Sequence, residues 1–224
     1  MKTIINIIIF LSTLSPLLHG KDAYPSIQVL KDMPPLHFGQ TLEEVRDILK
    51  VEPVDLPPYI HSRKGIDKSI VYKNLNLNFD TGLLSSITIN RPFTQFQGMG
   101  FFCEKWKNFD RDGISVINPG FTRNDLEAYL PEWTARAIKN GAKSIDASNT
   151  EQDNLFKISK RSNSYTDNIY IEFGTLQKTK YGTKIWSGGI GFHFETEDIA
   201  KALGVEVGSL SSIHIYCNEF NTWR

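Results

Sequence analysis

Gly39-Gln40-Thr41-Leu42-Glu43-Glu44-Val45-Arg46-Asp47-Ile48-Leu49 is matched 81 residues on (120 − 39) by Gly120-Phe121-Thr122-Arg123-Asn124-Asp125-Leu126-Glu127-Ala128-Tyr129-Leu130. Both read Gly-x-Thr-x-x-acid-apolar-x-x-apolar-Leu, and Leu36 and Ile117 keep the same offset. The pattern is that of a helix start. Thr41 and Thr122 stand as N-caps, and the acid three residues later, Glu44 or Asp125, sits where a capping-box side chain reaches back. Its charge also suits the positive end of the helix. Apolar residues at 45, 48, 49 and at 126, 129, 130 then share one face. The glycine before each cap allows a tight entry.

A second correspondence lies downstream. Gly82-Leu83-Leu84-Ser85-Ser86-Ile87-Thr88-Ile89 is similar to Gly208-Ser209-Leu210-Ser211-Ser212-Ile213-His214-Ile215, at an offset of 126 (208 − 82). Asn78-Phe79-Asp80-Thr81 is similar to His193-Phe194-Glu195-Thr196, at an offset of 115 (193 − 78). Helix, strand, turn and strand therefore recur in one order, which predicts a tandem repeat. The second copy has 34 additional residues before its hairpin (115 − 81) and 11 within the turn (126 − 115). The turn insertion, Thr196 to Gly204, reads as a short helix with an N-cap and a terminal glycine. Alternation predicts strands over Ile70–Lys73, Leu75–Phe79, Ser85–Asn90, Gly100–Lys105, Leu155–Lys160, Asn168–Phe173, Lys184–Phe194 and Ser211–Cys217. Pro131 to Ala142 is a candidate second helix, and Asp146 to Asn154 a polar connection.

The expected fold class is α+β: two tandem helix-plus-antiparallel-sheet repeats forming one continuous or closely packed sheet backed by helices. The expected organisation is a signal peptide over 1–20, a Pro-punctuated lead-in over 21–35, repeat 1 over 36–107, a connection over 108–113 and repeat 2 over 114–224.

The Gly-x-Thr-x-x-acid-apolar motif, followed by a strand ending in Phe-Asp and a glycine turn, resembles the small envelope proteins of the BamE-like superfamily. The doubled arrangement resembles the secreted β-lactamase inhibitor proteins, and exported immunity proteins that neutralise toxins use similar α+β units. Gln40 or Phe121 stands where that pattern has Met, and Leu126 where it has Val. The resemblance implies a protein-binding protein rather than an enzyme.

Composition and charge agree with an ordered, exported chain. Of 224 residues, 25 are basic and 25 acidic, which argues against a protein built to coat nucleic acid or anionic membrane. Hydrophobic content of 40% and aromatic content of 12% argue against disorder. Lys2, the apolar run Ile4 to Leu11 and the polar stretch Ser12 to Gly20 read as a secretory signal, with an uncleaved anchor as the alternative. No later stretch approaches the length of a membrane span. The expected location is the periplasm. There Cys103 and Cys217 can pair, closing a loop of 114 residues (217 − 103) and contributing about 4–5 kcal/mol in the chain-entropy model. The alternative is two separate buried thiols.

Chemical motifs are sparse. His19, His37, His61, His193 and His214 lack zinc spacing, and no metal or other cofactor is expected. Asn108, Asp110, Asp112 and Gly113 match the first half of a calcium loop, but its bidentate Glu falls at Pro119. Gly188-Gly189-Ile190-Gly191 does not fit a phosphate loop, and no nucleophile elbow is present. Asp80 and Glu195 read as turn formers. The cluster Phe93, Phe96, Phe101, Phe102, Trp106 and Phe109 is divided between core and contact surface. The expected function is an exported immunity protein or inhibitor that binds a secreted toxin or enzyme and occludes its active site. A non-catalytic envelope assembly factor and a hydrolase with an unrecognised site are the alternatives. Alternation places Asn76, Asn78, Thr88, Tyr170, Glu172, His193, His214 and Tyr216 on the sheet face away from the core. With the loop residues Phe96, Tyr181, Lys184 and Trp186 they make the expected binding surface.

Overall fold

Each Gly-x-Thr motif starts a helix. In the computed structural model, which describes residues 29–30, 32–55, 68–93, 120–139, 141, 143–144, 152–176 and 188–217, Thr41 caps α1 (Leu42–Leu49). Its hydroxyl accepts from the Glu44 N–H at 3.2 Å, and the Glu44 carboxylate accepts from the Thr41 N–H at 2.9 Å. Thr122 and Asp125 make the same reciprocal bonds, at 3.3 and 2.8 Å, before α2 (Arg123–Lys139). Both helix starts also dock on a strand hairpin. The Leu42 N–H donates to the Gly82 carbonyl at 3.1 Å, and the Leu84 N–H to that of Gln40 at 2.8 Å. Arg123 N–H to Gly208 and Leu210 N–H to Phe121 repeat the arrangement at 2.8 and 2.9 Å. Gly82 and Gly208 have φ of 80° and 77°, the left-handed region in which the turn needs glycine.

The strands are β1 (Val54–Asp55), β2 (Lys68–Tyr72), β3 (Leu75–Asp80), β4 (Leu83–Asn90), β5 (Lys143–Ser144), β6 (Gln152–Ser162), β7 (Asp167–Leu176), β8 (Gly188–Phe194) and β9 (Leu210–Cys217). They form one sheet in the order β1-β2-β3-β4-β9-β8-β7-β6-β5, antiparallel except for the β5–β6 pair. This corrects the expectation of two helix-plus-sheet repeats. The described residues form mostly a single antiparallel sheet dominated by seven longer strands, with three helices. The reason is the join. β4 and β9 pair through five consecutive residues, from Ser86↔Tyr216 to Asn90↔Ser212, so neither half closes a sheet of its own. The helices add patches to a core that the strands supply.

That core lies on one side of the sheet. Ile70, Leu77, Ile87, Ile89, Ile169, Ile171, Ile190, Phe192, Ile213 and Ile215 are fully buried there. Val45 and Leu49 of α1, and Leu126, Leu130, Trp133 and Ala137 of α2, join the same cluster, as do Val29, Leu30 and Met33 of the lead-in. Trp133 reaches Phe192 with ring centroids 6.4 Å apart.

Two helix expectations also change. α2 runs unbroken through Pro131, so Pro131 to Ala142 is not a separate helix. Pro131 is exposed, and the buried residues on either side of it hold the helix on the core despite the missing N–H. α3 (Glu197–Leu203) forms where the insertion reads as a helix, but the Thr196 hydroxyl makes no capping bond and, among the described residues, is buried without a hydrogen-bond partner.

Ion pairs tie distant segments together. Arg91, after β4, pairs with buried Glu195, after β8, so the pair bridges the start of β9. Glu195 is therefore more than a turn former, as the sequence had it. Arg123 pairs with Asp167 and, at 3.2 Å, with Glu127, which Lys160 approaches at 2.8 Å. This network fastens the start of α2 to the β6–β7 hairpin. Lys160 holds the Glu127 carboxyl below its usual range, with Arg123 adding to the effect. Asp167 first, then Glu127, raises the Arg123 guanidinium.

Candidate protein-binding face

The sheet face opposite the core carries the eight outward positions expected from alternation, all of them half-buried: Asn76, Asn78, Thr88, Tyr170, Glu172, His193, His214 and Tyr216. Strand register arranges them in three cross-strand rows. One row runs Val71, Asn76, Thr88, His214, Gly191, Tyr170, Ser159. The next runs Ser69, Asn78, Ser86, Tyr216, Gly189, Glu172, Lys157. A shorter row runs Asn90, Ser212, His193, Asn168, Arg161. Seven strands at a spacing of about 4.8 Å make this face roughly 29 Å wide.

The rows are bonded to one another. Thr88 Oγ1 and His214 Nδ1 share a hydrogen bond of 3.0 Å across the β4–β9 join. The His214 and Tyr216 rings stack with centroids 5.6 Å apart. Tyr170 meets His193 edge-on at 5.9 Å, accepts from Asn168 Nδ2 at 3.3 Å, and lies under the Arg161 guanidinium at 5.4 Å. Glu172 accepts from Ser159 at 3.1 Å and, more loosely, from the Tyr216 hydroxyl at 3.4 Å. Lys157 stands 3.8 Å from the same carboxylate. Asn78 Nδ2 donates to Ser86 Oγ at 3.2 Å.

Burial shifts two groups of this face. Burial, then the Glu172 charge, pushes the Tyr216 hydroxyl well above its ordinary range, so it remains a neutral donor. Burial lowers His193, which favours the neutral imidazole at neutral pH.

Two glycines make the arrangement sterically feasible. A methyl group on Gly191 would meet the Tyr170 ring at 2.8 Å, and one on Gly189 would meet the Tyr216 hydroxyl at 2.8 Å. The tyrosines of β7 and β9 thus lean over β8 from either side. Beyond the first hairpin, Lys73, Asn74, Asn76, Asn90 and Arg91 line an open depression of about 660 Å³. Asn74 Nδ2 fixes its wall by donating to the Asn90 and Pro92 carbonyls at 2.7 and 2.9 Å.

The loop candidates Phe96, Tyr181, Lys184 and Trp186 lie outside the described residues, as do Cys103, the residues of the half calcium loop and the signal-like N-terminus. Cys217 is buried at the end of β9. Of the aromatic cluster, Phe93 is buried and the other members lie outside the described residues. Among the described residues, no group of three or more His, Cys, Asp or Glu is placed to hold a metal ion, and no helix is long and apolar enough to cross a membrane.

No family model, curated protein or solved structure matches the chain.

Several residues of this face had escaped the sequence reading. Lys157, Ser159, Arg161 and Asn168 belong to it through the β6–β7 register, which the turn at 163–166 sets. The run Gly188-Gly189-Ile190-Gly191 carried a usable signal, since glycine inside a strand marks a close approach.

Proposed function

We propose that the chain is an exported, non-catalytic protein-binding protein. Its most concrete form is a periplasmic immunity protein or inhibitor whose open sheet face occludes the active site of a toxin or enzyme. The observation that carries this reading is the three-row face, continuous over seven strands and built of Tyr, His, Asn and Glu side chains held by one another. Such a surface is preformed, so docking orders few side chains. Its width suits a standard interface of about 800 Å² per partner. The signal-like N-terminus and the Gly-x-Thr resemblance support the cellular setting.

The test is purification from envelope extract, followed by an activity assay on any stoichiometric partner. Thr88→Arg, at the centre of the face, is expected to abolish binding and inhibition. Ile138→Arg, on the exposed side of α2, is expected to leave both intact. Recovery only of outer-membrane assembly components, or inhibition indifferent to Thr88→Arg, would sink the reading.

A further inference from the structure

The β6–β7 hairpin ends in a turn that its own side chain locks. Asn163 Oδ1 accepts from the N–H groups of Tyr165 and Thr166, both at 2.8 Å, and the Asn163 N–H donates to the Thr166 carbonyl at 2.8 Å. This turn holds Tyr165 out in water at 80% exposure, the highest among the described large hydrophobic residues. An aromatic ring on a fixed turn gains little from the fold and loses little freedom on binding, which is the behaviour of an interface anchor.

The neighbouring charges point to the chemistry of what binds. β6 carries Lys157, Lys160 and Arg161. Lys157 is near Glu172 and Lys160 is paired with Glu127. Arg161 is exposed and lies over the Tyr170 ring, and among the described residues it has no carboxylate partner. Along the three rows of the open face, Glu172 is the one acidic residue, against Lys157 and Arg161. On the core side, α1 leans the opposite way, with Glu43, Glu44 and Asp47 against Arg46. A molecule neutral in total therefore turns a cationic, aromatic corner outward.

We propose that the end of the β6–β7 hairpin, Tyr165 together with the Arg161–Tyr170 pair, is the anchoring contact for a protein partner, and that it seats on an acidic surface of that partner. The inference rests on the docking reading of the open face. It adds where binding energy concentrates and which charge the partner presents.

A photoreactive phenylalanine analogue placed singly at position 165, 88 or 138 of the full exported chain tests this, with the cross-linked peptides read by mass spectrometry. The expected result is capture of one protein from positions 165 and 88, with Asp or Glu in the peptide joined to position 165. Capture from 88 but not 165 overturns the hairpin anchor and leaves the docking reading standing. Capture from neither, or from 138 alone, overturns both. A peptide without acidic residues at position 165 overturns the assignment of charge. With the captured protein purified, Tyr165→Ala and Arg161→Glu are each expected to weaken Kd by about 30-fold or more. The thermal midpoint of Tyr165→Ala should not move, because that residue is 80% exposed. An unchanged Kd for either variant refutes the anchor.

Discussion

Replacing Gly189 with Ala is the sharpest probe of the open face. The added methyl would lie 2.6 Å from the Ile171 carbonyl oxygen and 2.8 Å from the Tyr216 hydroxyl. The hydroxyl is the end of a side chain that can swing, but the Ile171 oxygen belongs to the backbone of β7, the neighbouring strand. Ordinary van der Waals contact begins at 3.4 Å, so the strands must separate by 0.8 Å there (3.4 − 2.6). Overpacking of this kind costs about 1–3 kcal/mol, and a backbone obstacle places it in the upper half, about 2–3 kcal/mol. For a chain of this size that lowers Tm by about 4–12 °C. Urea unfolding followed by circular dichroism, with the m-value unchanged, measures the cost. Gly191→Ala is the internal control. The atoms nearest its methyl belong to side chains, the Tyr170 ring at 2.8 Å and His193 at 3.3 Å, and a ring can rotate away. It should cost less, and Tyr170→Ala should relieve it, whereas Tyr216→Phe should do little for Gly189→Ala. A Gly189→Ala protein within about 0.5 kcal/mol of the parent, or one more stable than Gly191→Ala, would refute the reasoning.

Other consequences are equally direct. Arg91→Met leaves the Glu195 carboxylate, 7% exposed, without its guanidinium, and should cost about 3 kcal/mol by denaturant unfolding. Arg91→Met combined with Glu195→Gln should recover much of that loss. Thr41→Ala and Thr122→Ala should each cost about 1 kcal/mol through their capping boxes, read in the same assay. His193 titrates lower in the fold than its ordinary value of 6.5, so the contribution of its neutral form is present above that pH and is lost as pH falls through the folded value. Stability measured at pH 7.5 and 5.5 should therefore decline toward the acid side, and His193→Asn should flatten the decline. Glu127 follows the same sign from its ordinary value of 4.5 downward, so Glu127→Gln should remove part of the acid sensitivity below that pH.

What the residues disclosed in advance follows the range of the forces involved. The capping pairs Thr41 with Glu44 and Thr122 with Asp125 are three residues apart, so the pattern contains the whole interaction. Alternation sorted Thr88, Tyr170, His193 and Tyr216 to one face because side-chain direction in a strand has a period of two. The single sheet was less legible. Its decisive pairing, β4 with β9, is between segments far apart in the chain, and hydrophobic patterning carries no record of which strand finds which. Pro131 misled for a related reason, since local propensity ends a helix there while the burial of Leu130 and Trp133 on the core keeps it going. Tyr165 went unnoticed because a tyrosine in a turn has no periodic signature. Only the locked Asn163 turn makes its exposure meaningful.

The β4–β9 seam also bears on how the chain becomes folded. The turns that close β3 on β4 and β6 on β7 span a few residues, whereas the seam joins residues from 122 (212 − 90) to 130 (216 − 86) positions apart. Closing so long a loop costs chain entropy that no local contact offsets, so pairing of this kind forms late and slowly. Until it forms, β4 and β9 each present an unpaired edge on a half-built sheet, the state most open to wrong pairing with another chain. Substitutions that weaken this seam should therefore also lengthen the time for which the molecule stays unfinished.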